Sequence, residues 1–328
     1  MNSMTYAKLG KSGATVSVLG LGCLGFGDPD RGAHGWTIRE DEAKSLLRHA
    51  VELGINFFDT ANVYSAGHSE EILGAAVAEY CRREEVVIAS KVHGEMGPGP
   101  NGWGLSRKHI LWQVEQSLRR LGTDYIDLYQ VHRWDGTTPL EETLETLDLL
   151  VRDGKVRYLG ASSMHAWQFS KALFLQEQHG WAQFITMQDH YNLLYREEER
   201  EMYPLCADRG IGALPYSPLA RGRLARPWGT RTVRQDYDEQ GHMLYRGNEE
   251  VDRSITDAVG NVAEGLGATR AQVALAWVLA NPVVTAPLIG ATAASHLDEN
   301  IQALEIQLTE EEFNALEEFY RPRPVAGF

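Results

Sequence analysis

The sequence runs to 328 residues, 43% of them hydrophobic and 23% charged, which is the make-up of an ordinary globular chain able to bury a core. Lys and Arg number 31 against 45 Asp and Glu, and the formal charge of −14 disfavours phosphate backbones and anionic membrane surfaces, so neither nucleic acid nor membrane is an expected partner. Cys23, Cys81 and Cys206 stand far apart without a Cys-x-x-Cys, which excludes a zinc ribbon or a dithiol redox motif. With no apolar leader and no run of about 18 apolar residues, a cytoplasmic location is expected.

In chain order, Met4–Leu9 and Ala14–Ser17 flank the turn Lys11-Ser12-Gly13 and read as a β-hairpin placed to plug the bottom of a barrel. Short runs rich in Val, Ile, Leu and Phe then alternate with amphipathic stretches, the pattern of βα units around a parallel sheet. The strands expected are Val18–Leu21, Ile55–Asp59, Val86–Ser90, Tyr125–His132, Val156–Ala161, Phe184–Gln188, Gly212–Tyr216 and Val284–Ile289. The helices expected cover 40–53, 69–82, 106–121, 139–153, 165–178, 197–209, a pair within 249–281, 295–302 and 309–320. Several open on caps, among them Ser106 and Thr309-Glu310-Glu311. Eight strands alternating with helices predict a closed (β/α)8 barrel, and with no Pro- or Ser-rich linker residues 1–328 form one domain. Three loops, about 25–39, 92–105 and 217–248, exceed what a connection needs. They hold Trp36, Trp103 and Trp228, and with Trp134 these are the expected aromatic wall of a substrate pocket. Packing of each indole against its own loop is the alternative.

In such a barrel chemistry collects at the C-terminal ends of the strands. There the sequence places Asp59 with Tyr64 close behind, Lys91, His132, Ser162-Ser163, Gln188-Asp189, Tyr216-Ser217 and Gly290-Ala291-Thr292. Each alone is an ordinary turn, cap or core residue; Asp59, Tyr64, Lys91 and His132 on one face are harder to dismiss. A tyrosine is a poor acid at its ordinary pKa of about 10, and a neighbouring lysine cation favours the phenolate. A carboxylate keeps such a lysine charged, and a histidine hydrogen-bonds the substrate oxygen.

The same residues carry a resemblance. Gly54-Ile55-Asn56-Phe57-Phe58-Asp59-Thr60-Ala61-x-x-Tyr64, Gly74, Lys91, Leu121-Gly122-Thr123-Asp124-Tyr125-Ile126-Asp127-Leu128 leading to His132, Gly154–Gly160, Gln188-x-x-Tyr191-Asn192, Tyr216-Ser217-Pro218-Leu219 and Asp298-Glu299-Asn300 together resemble the aldo-keto reductase family over nearly the whole chain. The resemblance implies reduction of an aldehyde, ketone or sugar carbonyl by hydride from NADP(H), with NAD(H) as the second choice. Asp59, Tyr64, Lys91 and His132 match the family's catalytic tetrad, with Tyr64 the proton donor. Tyr216 matches the aromatic that stacks on nicotinamide, and Ser162, Ser163 and Gln188 stand at carboxamide positions. Ser217, Pro218, Leu219 and Gly222 would cover the pyrophosphate; Gly290, Ala291, Thr292, His296, Glu299 and Asn300 would surround the adenosine end. Ser163 stands where the family commonly has Asn, and Ala293 and His296 where members often carry a cation or Gln. The oligomeric state is not legible.

Rival readings are weaker. Gly20-Leu21-Gly22-Cys23-Leu24-Gly25 fits Gly-x-Gly-x-x-Gly, but it runs into Asp28-Pro29-Asp30-Arg31-Gly32 rather than a helix. Gly10-Lys11-Ser12 lacks the opening glycine of a P-loop, and without His-Glu-x-x-His no metal is expected. A cofactor-binding regulatory subunit with little turnover is the alternative from another class.

Overall fold

The computed structural model describes residues 4–32, 34–232 and 237–327. A hairpin of β1 (Tyr6–Lys8) and β2 (Thr15–Ser17) precedes eight parallel strands in the order of the chain: β3 (Gly20–Gly22), β4 (Phe57–Asp59), β5 (Val87–Val92), β6 (Ile126–Val131), β7 (Val156–Ser162), β8 (Phe184–Gln188), β9 (Gly212–Ala213) and β10 (Leu288–Ile289). β10 pairs β3, and the bridges Ala213–Val284 and Tyr216–Leu288 join the β9 and β10 segments, which closes the expected (β/α)8 barrel.

The hairpin plugs the barrel floor as expected. Leu9 and Val16 pack with Phe57, Ala89, Leu128, Ile185 and Leu214, all buried. Gly10 (φ 55) makes the close approach, because a Cβ there would sit 2.2 Å from the carbonyl oxygen of Ile185. Only glycine fits.

Around the barrel run α1 (Glu40–Glu52), α2 (His68–Tyr80), α3 (Arg107–Leu121), α4 (Leu140–Arg152), α5 (Ala166–His179), α6 (Met202–Arg209), α7 (Glu239–Leu244), α8 (Glu249–Leu266), α9 (Arg270–Leu279), α10 (Ala294–Gln302) and α11 (Glu310–Glu317). α1 buries Ala43, Leu46, Leu47 and Ala50, the i, i+3, i+4, i+7 stripe of a helix against a sheet. α3 starts where Ser106 accepts from the His109 amide and stops at Gly122 (φ 63), with Arg119 and Arg120 in its last turn against the dipole.

Several boundaries differ from expectation. Val18 donates its amide to Thr5 of the hairpin, so the first barrel strand begins at Gly20 instead. The runs 212–216 and 284–289 shrink to two-residue strands with flanking bridges, since Pro215 and Pro287 offer no amide to the ladder. The helix expected over 197–209 divides into a 3-10 turn at Glu197–Glu199 and α6, whose start two residues before Pro204 puts that proline in the first turn, where its missing N–H costs nothing. The long stretch 217–248 holds α7, and its residues 233–236 lie outside those described.

Candidate active site

β4 delivers Asp59, β5 Lys91 and β6 Gln130 to one point inside the barrel mouth, because Lys91 and Gln130 are register partners and both face inward. The Lys91 ammonium is fully buried and hydrogen-bonds Asp59 Oδ1, the Thr60 carbonyl (2.9 Å) and the Tyr64 hydroxyl (3.2 Å). Asp59 Oδ2 accepts from Gln130 Nε2 (2.9 Å) and Gln188 Nε2 (2.8 Å). The His132 ring stands edge-on to Tyr64, centroids 5.8 Å apart at 79°. The four expected reactive side chains are therefore neighbours.

Their electrostatics differ. Burial works to lower the Lys91 pKa, but the charges of Asp59 and Tyr64 and their hydrogen bonds outweigh it, and the net shift is upward, so Lys91 stays an ammonium. His132 is held well below its ordinary value by burial first and then by Lys91, Arg133 and His93, so it is neutral at working pH. Burial raises Tyr216, which stays a phenol.

A cavity of about 800 Å³ opens over this point. Its wall includes Asp59, Tyr64 and His132 at one end, then Ser162, Gln188, Tyr216, Ser217, Pro218, Leu219 and Gly222, and at the other end Gly290, Ala291, Thr292, His296, Glu299 and Asn300. Ser163 is off the wall: its backbone is left-handed (φ 46) and its hydroxyl turns to the Tyr216 hydroxyl at 3.5 Å. Tyr216 lies flat on His190 (centroids 5.4 Å, 8°), which is stacked in turn on Tyr195 at 4.4 Å. One face of Tyr216 is thus fixed by a ring stack while the residue lines the cavity.

The expected wall of four tryptophans is corrected. Trp36 lines the cavity, beside His34 and His93. Trp103 is 46% exposed with its ring edge-on to His93, and Trp134 packs edge-on to Trp167 over a separate small apolar hole lined by Leu105, Val131 and Leu144. Trp228 is half-buried away from the wall. Trp103 and Trp134 thus turn to aromatic neighbours, His93 and Trp167, rather than form a common wall with Trp36.

Gln130, His93, Arg133, Arg226 and Gln240 also belong to the site or its wall and were not expected there. Gln130 was recoverable, since Leu128, Gln130 and His132 alternate along β6 and Leu128 lies in the barrel interior. Arg226 comes from a long loop with no periodicity to read, and Gln240 from α7, too short to show one.

Backbone strain gathers at this mouth. Among the described residues, the non-glycine ones with positive φ are Ser65, Ala66, Ser163, Ser217, Ala220 and Arg221, all in loops that follow β4, β7 or β9. Such conformations cost of order 1–3 kcal/mol each and persist where surroundings over-determine them. For the 217–222 strap, Asn192 Nδ2 donates to the Ser217 carbonyl (2.9 Å), and the Arg221 guanidinium holds Asp238 (2.5 and 2.6 Å) and Gln240 (2.9 Å).

A parallel barrel with an Asp–Tyr–Lys–His group at its C-terminal mouth and an elongated cavity beside it defines a class of oxidoreductase, and the sequence comparisons agree. Residues 18–321 match the Aldo/keto reductase family, and the chain belongs to that family. It is similar to versiconal hemiacetal acetate reductase of Aspergillus parasiticus (43% identical, 98% of each chain covered) and to aldo-keto reductases of Metarhizium robertsii and Alternaria alternata (each 40% identical over 98% of this chain, covering 92% and 93% of theirs). The protein is an enzyme of carbonyl reduction that works with a nicotinamide cofactor on small-molecule carbonyl compounds.

The residues present fit that cofactor. The cavity of about 800 Å³ has volume enough for a dinucleotide, and a Cβ at Gly290 would meet nothing within 4 Å. Asn300 Nδ2 and Arg221 Nε are buried on the wall without a partner among the described residues. The first turn of α10, with no acidic residue in it, follows Gly290–Thr292, as suits an anionic group on a protein whose overall charge repels one. No helix among the described residues is long and apolar enough to cross a membrane.

Proposed function

We propose that the chain, as one domain in the cytoplasm and without nucleic acid or membrane partners, reduces an aldehyde, ketone or sugar carbonyl to the alcohol with Tyr64 as general acid. The observation that carries this reading is the Lys91 ammonium bridging buried Asp59 and the Tyr64 hydroxyl at the cavity wall. Bound nicotinamide, when reduced, supplies the hydride. Tyr64 gives its hydroxyl proton to the carbonyl oxygen, and Lys91 stabilises the charge left on the phenol oxygen. Asp59 holds Lys91 in place, itself held by Gln130 and Gln188. Neutral His132 fixes the carbonyl oxygen with a hydrogen bond and brings no second charge. Tyr216, backed by His190, is the stacking surface for the nicotinamide ring, and Ser162 reaches its carboxamide. Gln188 lines the cavity too, but its amide N–H groups serve Asp59 and Gln130, so only its remaining capacity is left for the carboxamide.

NADP(H) is the favoured cofactor and NAD(H) the weaker one. At the adenosine end Ala293 offers no cation; Thr292 and His296 are close to each other (3.5 Å) and take the 2′-phosphate together. Hydrogen bonds to charged groups contribute about 1.5–3 kcal/mol, so the preference for NADPH stays below about a hundredfold. Initial rates with NADPH and NADH on a panel of aldehydes test both statements. Turnover with at least one aldehyde and a modest NADPH preference that Ala293→Arg widens are expected. No turnover with either cofactor contradicts the reading; a large preference unmoved by Ala293→Arg relocates the phosphate contact to another cation.

A further inference from the structure

Arg133 follows His132 directly out of β6 and lines the cavity with Tyr64, His93 and Tyr216. Its Nη1 donates to the His132 carbonyl at 3.1 Å, and no carboxylate pairs with the guanidinium among the described residues. Its charge is felt across the mouth: behind burial, and behind Asp135 at His93 and Lys91 at His132, it disfavours protonation of His93 and His132, and behind burial it favours ionisation of Tyr216.

The acids nearby are already engaged. Asp59 is held by Lys91, Gln130 and Gln188. Asp135, two residues after Arg133, accepts from the hydroxyls of Thr137 (2.6 Å) and Thr138 (2.7 Å) and the amides of Leu105 (2.9 Å) and Thr137 (2.8 Å). The end of the cavity where the carbonyl must sit thus presents a planar fork of donors with a full positive charge and spare capacity, on a protein of net charge −14. A guanidinium that served only to hold its own loop would need no place on that wall.

We propose that Arg133 recognises a carboxylate on the substrate, so that the preferred substrates are oxo acids or formyl acids with the carboxylate near the reducible carbonyl. This rests on the carbonyl-reduction reading above. The chemistry is unchanged: a C–H and an O–H bond form, the C=O π bond breaks, the two electrons come from the reduced nicotinamide, the proton comes from Tyr64, and the carboxylate is a spectator. A bidentate guanidinium–carboxylate pair in a partly enclosed site is strong and geometrically specific. It would also hold the carbonyl beside Tyr64 and His132.

The test compares phenylglyoxylate and 4-oxobutanoate, each against its methyl ester, as kcat/KM with NADPH in wild type, Arg133→Gln and Arg133→Lys. The acid-to-ester ratio is expected to exceed about ten in wild type, to fall at least about tenfold in Arg133→Gln, and to recover in part in Arg133→Lys. Calorimetric titration of phenylacetate, which has no carbonyl or alcohol to react, into the NADP⁺-loaded protein reads the same contact without turnover, and binding should weaken in Arg133→Gln. Turnover of the esters with no preference for the acids, or a ratio unmoved by Arg133→Gln, overturns the inference and leaves carbonyl reduction standing. Phenylacetate binding that depends on Arg133 with no turnover of any probe upholds the anion contact and contradicts the reductase role; neither turnover nor binding overturns both.

Discussion

Lys91 and Asp59 form a buried ion pair that stabilises the fold only while both members are present. Lys91 is completely buried and Asp59 nearly so, and removal of one partner from such a pair typically costs about 3–5 kcal/mol, because the other charge is left without compensation. Lys91→Met should therefore lose both turnover and stability, whereas Lys91→Met with Asp59→Asn should regain stability but not turnover. Urea unfolding of the three proteins checks this. A double variant no more stable than Lys91→Met would show that the two charges do not depend on each other.

The same scale shows what a residue-by-residue reading of the sequence reaches and what it misses. Asp59, Tyr64, Lys91 and His132 are legible because each stands at or just past the end of a recognisable strand, where a barrel exposes its side chains. Trp103, Trp134 and Trp228 lie in the loops that follow β5, β6 and β9 yet off the cavity wall, since loop conformation decides which way an indole turns and no periodicity encodes it.

Among the elements, the strap after β9 has its geometry held from outside itself. Ser217, Ala220 and Arg221 all take left-handed backbone, and Arg221 reaches across to Asp238 just before α7. Arg221→Ala removes that hold. The strap should relax and cofactor affinity fall by about tenfold, the scale of one charge-assisted contact, while the reaction at bound cofactor changes little. Cofactor fluorescence titration measures the affinity; an unchanged dissociation constant would mean that the strap is held without the Arg221–Asp238 pair. Of this the sequence shows a long loop and no more, because the pairing joins residues 17 apart with no regular structure to set their distance. Barrel strands were legible as elements but not to the residue, since the prolines that shorten β9 and β10 and the hairpin amide contact that displaces β3 act between segments rather than within them.

For the whole molecule, two acids that the chemistry does not use set a pH dependence of stability. Burial pushes Asp189 up to about 8, against the hydrogen bond from Tyr203, and burial together with the Asp189 and Glu197 charges pushes Glu198 up to about 9. Raised carboxylate pKa values mean that the folded state binds more protons than the unfolded one, so stability declines as pH rises from the ordinary carboxylate range towards the folded values. The protein should be less stable at about pH 9 than at about pH 6, and Asp189→Asn with Glu198→Gln should flatten that slope. Denaturant midpoints at the two pH values decide it; equal midpoints in wild type, or the same slope in the variant, would contradict the argument.

The central claim is that Tyr64 is the proton donor of a carbonyl reduction. Its most direct test is the rate of reduction by Tyr64→Phe with saturating NADPH, alongside the cofactor dissociation constant of the same variant. A phenyl ring keeps the packing and removes only the hydroxyl that Lys91 holds at 3.2 Å. A fall of about a hundredfold or more with cofactor binding nearly unchanged is expected, since general acid catalysis contributes on that scale. A variant that binds cofactor normally and keeps more than about a tenth of the wild-type rate would contradict it.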